Sequence, residues 1–116
     1  MSVTMFGIPN CDTIKKAKKW LDSQGISYQF HDYRKQGIDE QLVRRFCQEL
    51  GWESVVNKRG TTYRQLSYEQ KQSLNEQSAI TLLIEMPAMV KRPIISVNNQ
   101  LHIGFKPEQY ANIFTS

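Results

Sequence analysis

The chain has 116 residues, of which 40% are hydrophobic and 22% charged, and a formal net charge of +4 at pH 7. That length supports one compact domain with a real core, and the balance excludes a disordered or fibrous protein. The longest apolar-rich run, Ala79 to Met86, is too short to span a bilayer.

Met1 to Gly7 lacks a basic region leading into a long apolar stretch, so no signal peptide is expected and the expected location is the cytoplasm. Val3 to Phe6 is a short apolar run ending at Gly7-Ile8-Pro9-Asn10, which reads as a buried strand entering a turn. Cys11-Asp12-Thr13 then opens a helix. Ile14, Ala17 and Leu21 share one face of it, Trp20 lies beside them, and Gly25 stops it. Lys15, Lys16, Lys18 and Lys19 read as its solvated face. Ile26, Tyr28 and Phe30 alternate with Ser27, Gln29 and His31, the pattern of a second strand. A helix between two strands of one sheet predicts a parallel βαβ unit.

Asp32 to Gly37 reads as a polar loop. Asp39 is a good N-cap for a helix with Leu42, Val43, Phe46, Cys47 and Leu50 on its apolar face, ended by Gly51. Asn57 to Thr62 is a basic loop. Ser67 and Gln70 form a capping box, and Ser78 is the expected cap of a helix running to Met86 ahead of Pro87. The run Ala79 to Ile84 would also serve as a strand. Ile94 to Val97 and Leu101 to Ile103 are two short strands, and Asn98-Asn99 between them accepts the positive φ of a tight hairpin. Pro107 and Glu108 start a last helix through Phe114. The expected class is α/β: β-α-β, a helical middle, then β-β-α. It forms a single domain with a core from 1–35 and 88–116 and a helical insertion at 36–87.

Two cysteines are too few for a disulfide framework. Cys11 sits where a buried strand hands over to a helix. Unpaired N–H groups and the helix dipole both favour thiolate there. Lys15, one turn on, adds to this, and Asp12 works against it. Cys47 lies on an apolar face and reads as a small core residue. His31 and His102 show no metal-ligand spacing, so no metal site is expected. Arg92-Pro93 directly ahead of a strand is a place for a cis peptide. Arg59, Arg92 and Lys106 read singly as surface charges. The mild positive charge fits an anion-binding site and is also compatible with weak nucleic-acid contact, without choosing between them; no direct nucleic-acid binding is expected.

The stretch Gly-Ile-Pro-Asn-Cys11-Asp-Thr-Ile-Lys-Lys-Ala resembles the active-site turn of the glutaredoxin-linked arsenate reductase family, which includes the Spx regulators and the YffB-like proteins. The resemblance runs on through Lys-Arg59-Gly, Lys-Arg92-Pro93-Ile-Ile and Gly104-Phe-Lys106, and its wording is nearest the YffB-like branch. It implies a thioredoxin-like fold, a mixed four-stranded sheet with a helical insertion, in which Pro93 is a cis-proline facing the thiol. It makes Cys11 the nucleophile, and Arg59 and Arg92 two of the three arginines that hold arsenate. Lys106 stands at the third position, where it keeps the charge but loses the planar fork. Gly7 occupies the place of a histidine, and Asp12 sets negative charge beside an anion site. Ile14 replaces the second cysteine of the regulators' Cys-x-x-Cys switch.

These residues lead to three expectations. The favoured one is a glutathione-dependent thiol–disulfide reductase, an oxidoreductase in which Cys11 forms a mixed disulfide with glutathione. Arg92 assists the thiol, and Arg59, Arg92, Pro93, Lys106 and Lys15 bind the ligand. No bound cofactor is expected. Glutathione is the cosubstrate, glutaredoxin a candidate partner, and the substrate a small thiol, disulfide or oxyanion. The second is arsenate reduction with the same residues, and the third an Spx-like module that docks on RNA polymerase. A monomer without membrane contact is expected throughout.

Overall fold

The computed structural model describes residues 2–115. The chain divides into two compact units: one holds the chain up to Gln36 together with Arg92 onward, the other is Gly37–Lys91.

The first unit is built on a four-stranded sheet with strand order β2-β1-β3-β4. Its strands are β1 (Val3–Gly7), β2 (Gln29–Asp32), β3 (Ile94–Val97) and β4 (Gln100–Ile103). β1 pairs parallel with β2 and antiparallel with β3, and β3 pairs antiparallel with β4. The parallel pair needs a crossover, which α1 (Asp12–Ser23) supplies. Ile14, Ala17 and Leu21 recur on one face of α1 and bury completely against Met5, Ile95, Val97 and Tyr110. Tyr110 comes from α8 (Pro107–Thr115) and meets Trp20 and Phe105 edge-on, with ring centroids at 5.7 and 4.7 Å. Asn98 and Asn99 both take positive φ (52° and 69°) in the β3–β4 hairpin. This mixed sheet is the thioredoxin-like architecture that the resemblance implies.

The second unit is helical. Its helices are α3 (Glu40–Leu50), α4 (Trp52–Val55), α5 (Thr61–Arg64), α6 (Tyr68–Gln72) and α7 (Glu76–Glu85), followed by a 3-10 turn at Pro87–Met89. Asp39 caps α3 by accepting the Leu42 N–H at 2.8 Å. Val43, Phe46 and Cys47 of α3 bury in a core that Ala79, Ile80 and Leu83 of α7 share. The Asn57 N–H donates to Met89 O (2.8 Å) and the Lys91 N–H to Val55 O (2.7 Å). These bonds tie residues 88–91 to the helical unit, so the division falls at Lys91 rather than at 87.

Local structure departs from the sequence reading in several places, most of them for a hydrogen-bonding reason. β2 starts at Gln29 rather than Ile26, because its first partner is Thr4 near the beginning of β1. Ile26 instead donates its N–H to Leu21 O and closes α1. Tyr33–Gln36 is a helical turn, α2, where a loop was expected. Asp32 accepts the Arg34 N–H (2.8 Å) while Gln36 Oε1 accepts the Asp32 N–H (3.1 Å), a reciprocal closure. Helix α5 begins inside the expected basic loop, at Thr61. Finally, Asn75 caps α7 and Ser78 is the third residue of its capping box, with bonds of 3.0 and 2.9 Å. The alternative strand at Ala79 to Ile84 is helix. No helix among the described residues is long and apolar enough to cross a membrane.

Losing the α7 cap in Asn75→Ala is expected to lower unfolding free energy by about 1 kcal/mol. Urea titration followed by circular dichroism checks this, and an unchanged midpoint would return the capping role to Ser78.

Candidate active site

The register of β1 builds the site. Phe6 lies opposite Ile94 and Gly7 opposite Asp32. Extending the antiparallel register past Phe6 brings Pro93 and Arg92 to the end of β1, where the chain turns into α1. The Arg92-Pro93 peptide is cis. The Pro93 carbonyl accepts the Gly104 N–H at 2.9 Å, which anchors it to the segment after β4. Gly7 is required at this crossing. A Cβ there would lie 2.5 Å from Ile14 Cδ1 and 3.9 Å from Arg92 Cβ. Ile14 is fully buried, so it has little room to yield.

Cys11 is the N-cap residue of α1, in extended backbone (φ −130°, ψ 125°), and its carbonyl accepts the Lys15 N–H at 3.0 Å. The residue is half-buried and packs against the sheet core. Burial pushes the thiol's pKa up. The Ile14 N–H, the Arg92 guanidinium acting both as hydrogen-bond donor and as a positive charge, and the Thr13 N–H pull it down. The lowering contributions win, so the Cys11 pKa lies below that of an ordinary thiol. Cys47 behaves in the opposite way. Burial, with the Glu76 charge adding to it, raises that thiol to about 11, and it stays protonated as a core residue.

The structure thus brings Cys11, Arg92 and Pro93 together. Lys15 occupies the first turn of the helix that Cys11 caps and has an exposed side chain. Lys106 is exposed at the start of α8, where its carbonyl accepts the Tyr110 N–H at 3.0 Å. Arg59 belongs to the helical unit, exposed, with its N–H donated to Asn57 Oδ1 at 3.3 Å. Two further features escape a sequence reading. Tyr33 is buried, and burial raises its hydroxyl pKa while the Arg92 charge acts against that rise. Its ring meets His31 (5.9 Å), which in turn meets Phe6 (5.2 Å). An aromatic residue in an otherwise polar stretch was its only signal. Lys18 is half-buried rather than part of a solvated face, and its Nζ sits 3.6 Å above the centre of the Phe30 ring.

A thiol favoured as thiolate at a helix N-terminus, beside a guanidinium, can attack a disulfide sulfur or an oxyanion centre. Residues 6–113 match the ArsC family. An uncharacterized protein of Haemophilus influenzae is 42% identical over 112 residues, covering 97% of this chain and 98% of its own. The global transcriptional regulator Spx of Streptococcus mutans is 28% identical, covering 92% of this chain and 79% of its own. Among solved structures, the YFFB protein superposes with a TM-score of 0.91 at 45% identity, covering 96% of this chain and 97% of its own. An arsenate reductase from Vibrio cholerae superposes with a TM-score of 0.83 at 26% identity, covering 98% of both chains.

Alkylation of Cys11 by iodoacetamide is expected to rise with pH around a midpoint below the ~8.5 of free cysteine. Arg92→Ala removes a stabiliser of the anion, so its midpoint should move up; an unmoved profile would detach Arg92 from the thiol. Gly7→Ala is expected to destabilise the protein by about 1–3 kcal/mol through overpacking against Ile14, measurable by urea melts.

Proposed function

The chain belongs to the ArsC family, and on that footing we propose that it is a glutathione-dependent thiol–disulfide reductase working through Cys11. One observation carries this reading: the Ile14 and Thr13 N–H groups and the Arg92 guanidinium converge on Cys11 and favour its thiolate despite burial. The Cys11 thiolate attacks the glutathione sulfur of a mixed disulfide. The substrate's S–S bond breaks, and the substrate leaves as a thiolate that takes a proton. Cys11 is then disulfide-bonded to glutathione. A second glutathione thiolate attacks the glutathione sulfur of that adduct, releasing Cys11 and glutathione disulfide. The net change is one disulfide exchanged for another. The mixed disulfide and one glutathione thiol become the substrate thiol and glutathione disulfide, so the incoming glutathione is oxidised as the substrate sulfur is reduced.

A single active-site cysteine suits this cycle, because free glutathione serves as the resolving thiol. Ile14 is fully buried where a Cys-x-x-Cys motif would carry its second sulfur. Arg92 steadies the thiolate at each step, and the backbone beside Pro93 pairs with the peptide ligand. Lys15 and Lys106 add positive potential that attracts a net anion. The reaction fits a reducing cytoplasm, where glutathione is abundant, with glutaredoxin as an alternative acceptor of the mixed disulfide.

Arsenate reduction is the second reading, supported by the similarity to the Vibrio cholerae arsenate reductase and by the guanidinium at the thiol. The packing of Ile14 under Gly7 works against it, because no side chain at position 7 can assist the oxyanion.

Incubating the reduced protein with oxidised glutathione is expected to add one glutathione at Cys11, seen by intact mass at neutral pH, and none in Cys11→Ser. Arg92→Ala should slow the addition about tenfold or more, the size of a lost charge-assisted hydrogen bond. An unmodified Cys11, or turnover of arsenate in preference to glutathione disulfides, would overturn the reading.

A further inference from the structure

Beside the turn from β1 into α1, the sheet unit holds a groove of about 430 Å³ lined by Pro9, Lys18, Phe30, Asp32, Lys35 and Gln36. That volume falls in the ~300–1,000 Å³ range of small-molecule sites. The lining carries two ammonium groups and one carboxylate. Lys18 is held in place by its 3.6 Å approach to the Phe30 ring. A cation fixed in this way has given up part of its rotamer freedom before a ligand arrives. Asp32 is buried and bonded to the Arg34 N–H, and its own N–H is taken by Gln36, so the closed turn fixes Lys35 and Gln36 relative to β2.

The groove also lies on the thiol's side of α1. Lys18 follows Cys11 by about two helical turns, so the two share one face of the helix, separated by about 10 Å of rise. Helical side chains lean toward the N-terminus, which points the Lys18 stem back toward Cys11. Pro9, which also lines the groove, belongs to the turn that delivers the cysteine. In a tripeptide whose middle residue carries the sulfur, each charged end lies only one side chain and one or two residues of chain from that sulfur, roughly 7 Å. The Lys18 side chain leaning back along the helix covers the remaining distance to the groove.

Resting on the glutathione-dependent reading, we propose that this groove is the site that recognises the charged ends of the cosubstrate. Lys18 and Lys35 take its two carboxylates and Asp32 takes its ammonium. The ligand class is a short thiol peptide with two negative groups and one positive group, the mirror of the groove's own charges. A neutral disulfide gains nothing there, and a cationic one is repelled by both lysines. Cys11 and Arg92 perform the chemistry, and the groove selects which disulfide reaches them.

The test compares rates of Cys11 modification by oxidised glutathione and by the neutral bis(2-hydroxyethyl) disulfide, read by intact mass at low ionic strength. In the Lys18→Gln/Lys35→Gln double variant the ratio of the two rates is expected to fall about fivefold to tenfold. Salt at about 1 M should reduce the ratio in the unaltered protein as well. Lys18→Gln could disturb the packing on Phe30, so Lys35→Gln, whose side chain is exposed, is measured alone and should move the ratio the same way. A ratio unchanged in the double variant, with glutathione still adding to Cys11, overturns the groove and leaves the reductase reading standing. No glutathione adduct in the unaltered protein overturns both.

Discussion

The antiparallel pairing of β1 with β3 is the constraint on which the site depends. Phe6 faces Ile94, and that pairing carries Arg92 and Pro93 to the turn where Cys11 caps α1. A slip by one residue would turn every side chain of β1 to the opposite face of the sheet and expose Met5, which is wholly buried. The hydrophobic register that fills the core therefore also sets the position of the guanidinium. Gly7 shows how tightly the two are coupled, since its missing Cβ lets Ile14 and Arg92 approach the same point of the strand.

Two cysteines in one chain illustrate how position decides reactivity. Both are partly or fully withdrawn from water, and burial raises the pKa of both. At Cys47 the nearby charge is Glu76, which disfavours a second anion, so the thiol remains inert. At Cys11 the first-turn N–H groups and Arg92 reverse the effect of burial. A helix N-terminus alone supplies only part of this, because its field is confined to the first turn. The charge of Arg92 arrives from the far end of the chain.

Family membership fits this division of labour. In this chain the thiol, the cis-proline turn and the guanidinium meet at the end of β1. Ile14 fills core space where a second cysteine would make a switch, and Gly7 is closed to any side chain. On the β2 side of the Cys11 turn lies a groove lined by Lys35 and by Lys18 over the Phe30 ring, beside a turn closed by Asp32 and Gln36.

Much of this molecule was legible in the order of its residues. The buried face of α1, the Asp39 cap, the Ser67 capping box, the Asn98-Asn99 hairpin and the start of α8 at Pro107 all depend on neighbours within a few positions. Cys11 at a strand-to-helix turn was legible for the same reason. The cap of α7 and the turn after β2 were misread because competing side chains, Asn75 against Ser78 and Asp32 with Gln36, offer similar local signals that only geometry separates. The start of β2 was decided by where β1 begins, which the second strand's own alternation does not encode. The closeness of Arg92 to Cys11, the space denied at Gly7 and the gathering of Lys18, Phe30 and Lys35 around one groove belong to tertiary structure alone. Sequence periodicity reports which face a residue turns to the core. Only the pairing of distant strands determines which charge then stands beside the sulfur.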